Sequence, residues 1–167
     1  MAEVTNALVL EKLQAKFGEG IISHDEPYSM LTIVADSKIN VEILQYLFDD
    51  EELKFQFMTD LCGIHYPDQE LELGVIYHLH SLENNLRVRF KFFVSKSNPT
   101  IASATAVYAT ANWQERETFD FFGIVFEGHP DLRRILNVDS MVAFPLRKEF
   151  PLEDPNRIDK KDYYFGR

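Results

Sequence analysis

Apolar residues at Ala7, Leu10, Leu13 and Phe17 recur at helical spacing, so Thr5 to Phe17 is read as a first helix that Gly18 and Gly20 stop. Ile21–Ile22 and Leu31–Ala35 read as short strands linked through Pro27. Asp36 or Ser37 can cap a second helix reaching about Phe48, with Val41, Leu44 and Phe48 on its buried face. The acidic run Asp49–Glu52 reads as a solvated loop. Three strands follow: Leu53–Met58, Leu71–Leu82 and Leu86–Phe93. The last of these sets Leu86, Val88, Phe90 and Phe92 against Arg87, Arg89 and Lys91. Glu83-Asn84-Asn85 suits the turn of a hairpin, because Asn tolerates positive φ. Ala102–Tyr108 fits either a strand or the start of a helix. Trp113–Phe122, introduced by Thr110 or Asn112, reads as a helix ended by Gly123.

From Phe126 onward the pattern breaks. Gly128, Pro130, Pro145, Pro151, Pro155 and Gly166 interrupt any long element, so an extended arm is expected there. The predicted class is α+β, with helices packed on one mainly antiparallel sheet and an extended C-terminal arm. The division is residues 1–126 as a globular domain and 127–167 as an extended arm expected to lie on another surface. No internal repeat interrupts this reading.

Composition adds limits. The chain has 167 residues, 46% of them apolar and 14 of them Phe, enough large side chains for one packed domain. Its net charge of −10 opposes nucleic-acid binding, which needs a basic face to meet phosphates. Residues 1–126 carry 9 Lys/Arg against 19 Asp/Glu, whereas 127–167 carry 8 of each, so the two parts are suited to different surroundings. Cys62 is the only cysteine: there is no internal disulfide, no four-cysteine cluster, and an apolar setting that suits an inert buried thiol. The first residues lack the pattern of a signal peptide. The longest uncharged stretch, Ser97 to Gln114, is too rich in Ser, Thr and Asn for a membrane span. Any membrane association is therefore expected through a partner.

Three groups of residues could carry chemistry. His78 and His80 share one strand face, but no third ligand stands at a defined spacing, so a metal site is disfavoured. Glu115, Arg116, Glu117 and Asp120 crowd one helix. Arg116 and Asp120, four apart, can pair across a turn, and His129 follows. The basic pairs Arg133-Arg134 and Arg147-Lys148 lack the aromatic or Gly-rich context of RNA or phosphate sites. Ion pairing with the acidic helix or with a partner is the better reading.

Taken together, residues 112–151 carry a denser signal. Glu115, Arg116 and Glu117 are followed by Asp120, Phe121 and Phe122, then Gly123, His129, Pro130, Arg133, Arg134, Ile135 and Leu136. The run Phe144-Pro145-Leu146-Arg147-Lys148-Glu149-Phe150-Pro151 closes it. This segment resembles the C subunit of the proton-pumping NADH:quinone oxidoreductase (complex I), the family of the mitochondrial iron–sulfur protein 3 subunit and of the plastid NDH J subunit. Thr59–Pro67 resembles the family's strand-end stretch, where an Asp often stands at the place of His65.

The resemblance implies a scaffold in the hydrophilic arm, on the cytoplasmic face of the inner membrane. Such a subunit binds no cofactor itself; FMN, iron–sulfur clusters and quinone belong to partner subunits. The implied partners are the quinone-site (D) subunit and the iron–sulfur subunits, with no nucleic acid and no direct membrane span. Trp113 and Phe122 are expected as core anchors. Glu115, Arg116, Glu117 and Asp120, with Arg133 and Arg134, are expected to form a charge network that organises the arm. Two other classes stay open: the equivalent subunit of a hydrogenase or of a quinone oxidoreductase fed by ferredoxin or a deazaflavin, and a stand-alone acid/base or metal enzyme using Glu117, Asp120 and His129.

Overall fold

A computed structural model describes residues 4–150. In chain order the elements are α1 (Asn6–Phe17), β1 (Ile21–Asp25), β2 (Leu31–Ala35), α2 (Asn40–Asp49), β3 (Phe57–His65), β4 (Leu73–Ser81) and β5 (Leu86–Val94). They continue with β6 (Thr100–Ala102), α3 (Ala111–Phe122) and β7 (Val125–Glu127). Five strands form one sheet in the order β1-β2-β5-β4-β3, antiparallel except where β2 runs parallel to β5. β6 and β7 pair in parallel as a separate two-stranded sheet. The class is α+β with a mainly antiparallel sheet.

Alternation along the strands fixes the core. Val88, Phe90 and Phe92 on β5 stand opposite Leu31, Ile33 and Ala35 on one side, and opposite Leu79, Tyr77 and Val75 on the other. All nine are buried, and they join Val9 and Leu13 of α1 and Ile43, Leu44 and Leu47 of α2 in one apolar cluster. The opposite face carries Arg87, Arg89, Lys91, Ile76, His78 and His80 in the alternate positions. The β4–β5 hairpin turns where the sequence placed it, with Asn85 at φ 49° and the Asn84 amide donating to the carbonyls of Glu52 and Leu53.

Several elements differ from expectation, each for a local reason. Asp36 caps a short 3₁₀ turn by accepting from the Lys38 N–H, so α2 starts at Asn40. Its buried stripe is Ile43, Leu44 and Leu47, and Val41 and Phe48 lie at its margins. Leu53 and Phe55 are buried, but in a turn and the irregular stretch after it; the strand expected at Leu53–Met58 begins at Phe57 and runs on through Cys62 to His65. The acidic run is not simply solvated. Asp50 accepts from the N–H groups of Glu52 and Leu53 and pairs with Lys12 at 3.0 Å, tying α1 to the end of α2. The ambiguous Ala102–Tyr108 segment contains the end of β6 and then a 3₁₀ turn, Ala104–Ala106.

Two tight places matter later. Gly63 on β3 lies directly beneath the Phe122 ring, so a Cβ there would collide with it, and α3 is seated against the edge strand at this point. The β1–β2 turn places Tyr28 and Ser29 at φ 57° and 62°, each non-glycine left-handed residue costing about 1–2 kcal/mol.

Candidate functional site

α3 and the residues after it form the site that the sequence singled out. Like any helix, α3 ends in carbonyls without intrahelical partners. Gly123, at φ 70°, turns the chain and donates to the Phe119 carbonyl. The next three carbonyls are taken by the arm. Arg134 Nη1 donates to Asp120 O at 3.0 Å, the Leu146 N–H to Phe121 O at 3.2 Å, and Arg147 Nε to Phe122 O at 2.6 Å. Two guanidinium groups thus sit where the helix dipole favours cations.

Asp120 is the centre of the clamp. Its side chain is fully buried. One carboxylate oxygen accepts from Arg134 Nη1 at 2.6 Å and from the Asn137 amide at 3.1 Å. The other accepts from the backbone N–H groups of Ile135, Leu136 and Asn137. Burial pushes the Asp120 carboxyl upward, but these N–H donors and the Arg134 guanidinium outweigh it and hold the group well below the usual carboxylate range. Arg134 also donates to the carbonyls of Met141 and Ala143, so one side chain gathers a helix end and two turns of the arm. Phe144 lies beneath both Arg134 and Arg147, 5.3 and 4.6 Å from ring centre to guanidinium carbon.

Arg116 does not pair with Asp120 across the turn. Its Nε and Nη2 donate to the carbonyls of Arg133 and Arg134, each at 3.1 Å, and its guanidinium stacks over Trp113. The expected network is also smaller than the charges suggest. Glu115 points away into the core, accepting from Ser103 Oγ at 2.6 Å and the Ala104 N–H at 2.7 Å. Burial raises its pKa to about 7 against those two bonds. Glu117 is exposed, and the Arg133 side chain reaches only its neighbour Asp131. Trp113, expected in the core, is 62% exposed because its ring rides over Arg116 on the outer side of the helix. Phe122 is half-buried and packed on the core.

His129 donates from Nε2 to the Asn112 carbonyl at 3.0 Å, which its Nδ1, accepting from the Asp131 N–H, requires. Pro130 follows in the turn that brings the chain back along α3. Glu117, Asp120 and His129 make no hydrogen bond with one another. Residues 128–150 contain no helix or strand and lie along their own α3, while 151–167, the rest of the expected arm, fall outside the described residues. Pro145 stands between Phe144 and the two residues that reach Phe121 and Phe122. The Lys148 N–H donates to His65 Nδ1, and His65 Nε2 meets Glu72 at 3.1 Å.

Elsewhere, His78 Nε2 accepts from Arg89 at 2.8 Å, and Asp60 stands 3.6 Å from its Nδ1. Cys62 is half-buried, and burial pushes its thiol up. No cluster of three or more His, Cys, Asp or Glu able to hold a metal occurs among the described residues, and no helix among them is long and apolar enough to cross a membrane. Asn137, Phe144 and the His65–Glu72 pair were not among the residues expected to build the site, although Phe144 and His65 lie in the stretches that carry the resemblance. Phe144 could have been, as an aromatic between two arginine pairs, but nothing local distinguishes Asn137.

The clamp lies within the stretch that decides the family. A model of the respiratory-chain NADH dehydrogenase 30 kDa subunit matches residues 33–156. The chain belongs to that family. It is 42% identical over 146 residues to the C subunit of the NADH-quinone oxidoreductase of Methylobacterium radiotolerans, spanning 87% of this chain and 67% of that protein. To the corresponding NADH-quinone oxidoreductase subunit of Citrifermentans bemidjiense it is 39% identical over 157 residues, 94% of this chain and 95% of the relative. Among solved structures, a trypsin-resistant fragment of Nqo5 superposes with a TM-score of 0.64 at 30% identity, covering 74% of this chain and 96% of the fragment. A chain of the membrane-bound sulfane sulfur reductase, an archaeal respiratory membrane complex, shares the fold at a TM-score of 0.73, 19% identity and 92% and 95% coverage. As a member of the 30 kDa family, the chain is a subunit of the NADH-quinone oxidoreductase complex, and its partners are other subunits of that complex.

Proposed function

We propose that this 30 kDa-family chain is a non-catalytic scaffold of the hydrophilic arm, holding the geometry of an electron path that its partners carry. In this reading FMN, the iron–sulfur clusters and quinone are bound by those partners. The chain lies at the cytoplasmic face of the inner membrane through them, and its contacts are the quinone-site subunit and the iron–sulfur subunits. The supporting observation is how the charged residues of the motif are spent. Asp120, Arg116, Arg134 and His129 direct their polar atoms at the chain's own backbone or at each other. Polar atoms spent in this way on the chain's own backbone are engaged in holding the arm rather than turned toward a substrate. Meanwhile Leu136, Val138 and Val142 point outward from the clamped arm, Val142 at 95% exposure. Exposed aliphatic side chains on a firmly held segment are what a permanent partner covers.

The experiment is purification of the chain, tagged at its N-terminus, from gently solubilised membranes, with mass spectrometry of the co-purifying proteins. The quinone-site subunit and cluster-bearing subunits are expected with the wild type, and at least tenfold less of them with Arg134→Ala. An Arg134→Ala protein that assembles and supports turnover at the wild-type rate would refute the scaffold role of the clamp. Recovery of the chain alone would refute the quinone-site and iron–sulfur subunits as its contacts. The identity of the input subunits reports the electron donor.

A further inference from the structure

The geometry points to the Pro27–Met30 turn as a docking knob that inserts Tyr28 into an apolar socket, rimmed by Arg or Lys, on a neighbouring subunit of the same complex. The inference rests on the scaffold reading and adds a contact to it far from the α3 clamp in sequence. The β1–β2 hairpin closes with the Met30 N–H donating to the Pro27 carbonyl, leaving Tyr28 and Ser29 as the two central residues. Both lie in the left-handed region, Tyr28 at φ 57° and ψ 35°, Ser29 at φ 62°. A hairpin turn with two left-handed central residues favours Asn-Gly or Gly-Gly, and a bulky side chain there is an outlier.

The same molecule meets this demand elsewhere with ordinary means. Asn85 serves the β4–β5 hairpin, and Gly18, Gly123 and Gly128 serve three other left-handed positions. Lys54, the remaining case, is held by its N–H on the Asp50 carbonyl and by its ammonium on Glu83. Among the described residues, Tyr28 has no such support. Its side chain is as exposed as in an isolated residue, and Ser29 is tied only by its carbonyl to the Asn6 amide at 3.4 Å. Strained backbone that no side-chain contact among the described residues compensates is characteristic of a functional position. Here the turn holds an aromatic side chain out at the tip of a hairpin, its Cα–Cβ bond aimed at solvent before any partner arrives. Tyr is also the residue type that contact hot spots favour, supplying large area for two rotatable bonds. The flanking Asp25 and Glu26 are exposed, on a chain of net charge −10, which selects a cationic rim on the partner.

The test replaces the turn with the sequence its backbone prefers. Tyr28→Asn combined with Ser29→Gly should leave the isolated full-length chain at least as resistant to heat as the wild type. The same variant should lower its recovery in the purified complex at least tenfold in direct competition with wild-type chain. Tyr28→Phe should restore recovery, and Asp25→Lys with Glu26→Lys should reduce it in a salt-dependent way. A photo-crosslinking residue at position 28 should join to one identified subunit of the complex, at a peptide containing Arg or Lys. Equal recovery of the Asn-Gly variant, or a crosslink only to a second copy of this chain, would overturn the knob while leaving the scaffold reading intact. Failure of the wild type itself to enter the complex would overturn both.

Discussion

Two carboxylates on the same helix have opposite roles. Glu115 is buried with two hydrogen bonds and no cation, and its pKa rises from 4.5 to about 7. Between those values the folded chain holds a proton that the unfolded chain releases, so stability falls as pH rises through this window and the loss is complete above it. By linkage the loss is about 3 kcal/mol. Glu115→Gln removes the charge while its oxygen still accepts from the Ala104 N–H and its amide donates to Ser103 Oγ. Urea unfolding should find it close to wild type at pH 5 and more stable at pH 8; equal wild-type midpoints at the two pH values would refute the buried-acid account. Asp120 runs the other way. Its pKa is depressed, so its contribution is present above the ordinary Asp range and fades as pH falls through its lower folded value. Asp120→Ala strands Arg134 and four donors, and should cost about 3–5 kcal/mol at pH 7, a deficit that narrows in acid. Asp120, Arg116 and Arg134, and a network joining Asp120 to Arg134, could be read in the sequence, but the backbone partners could not. A spacing of four suggests a pair of charges, whereas the fold supplies carbonyls and N–H groups that have no signature in side-chain types.

At the scale of elements, α3 is a helix whose C-terminus is finished by side chains far beyond its last residue, from Arg134 through Arg147. The hinge between them is Gly123. A Cβ there would lie 2.5 Å from the Phe144 ring and 2.7 Å from Arg147 Nη2, and φ 70° is itself unfavourable for alanine. Gly123→Ala should therefore lower stability by at least about 1–2 kcal/mol and loosen the arm. Trypsin should then cut after Arg133 or Arg134 faster than in wild type, with the five-stranded sheet still protected. Unchanged cleavage would separate the hinge from the arm. The β4–β5 hairpin was legible because alternation and Asn84-Asn85 agree. The strand expected at Leu53–Met58 was not, because Leu53 and Phe55 alternate and are buried while lying in a turn and the irregular stretch after it. Alternation reports which side chains go inward, not what backbone carries them. Trp113 misled for a related reason: a large aromatic defaults to the core unless something outside, here Arg116, gives its face a partner.

For the whole molecule, the class and the mainly antiparallel character of the sheet followed from its strands, but its order did not. The pairing of β2 with β5 joins residues 31–35 to 88–92. No local signal encodes a partner so far along the chain. The same pairing bears on how the protein comes into being. The β3–β4–β5 meander can close on itself as soon as it is made, since each strand meets its neighbour through a single turn. The N-terminal β1–β2 unit, although synthesised first, has no edge to join until β5 is complete at Val94, 59 residues after Ala35. At about 5–20 residues per second, that is a wait of about 3–12 seconds on the ribosome. During it, Leu31, Ile33 and Ala35 must stay uncovered or be shielded by the adjoining helices. The last-made strand of the sheet is thus the one that admits the first-made half.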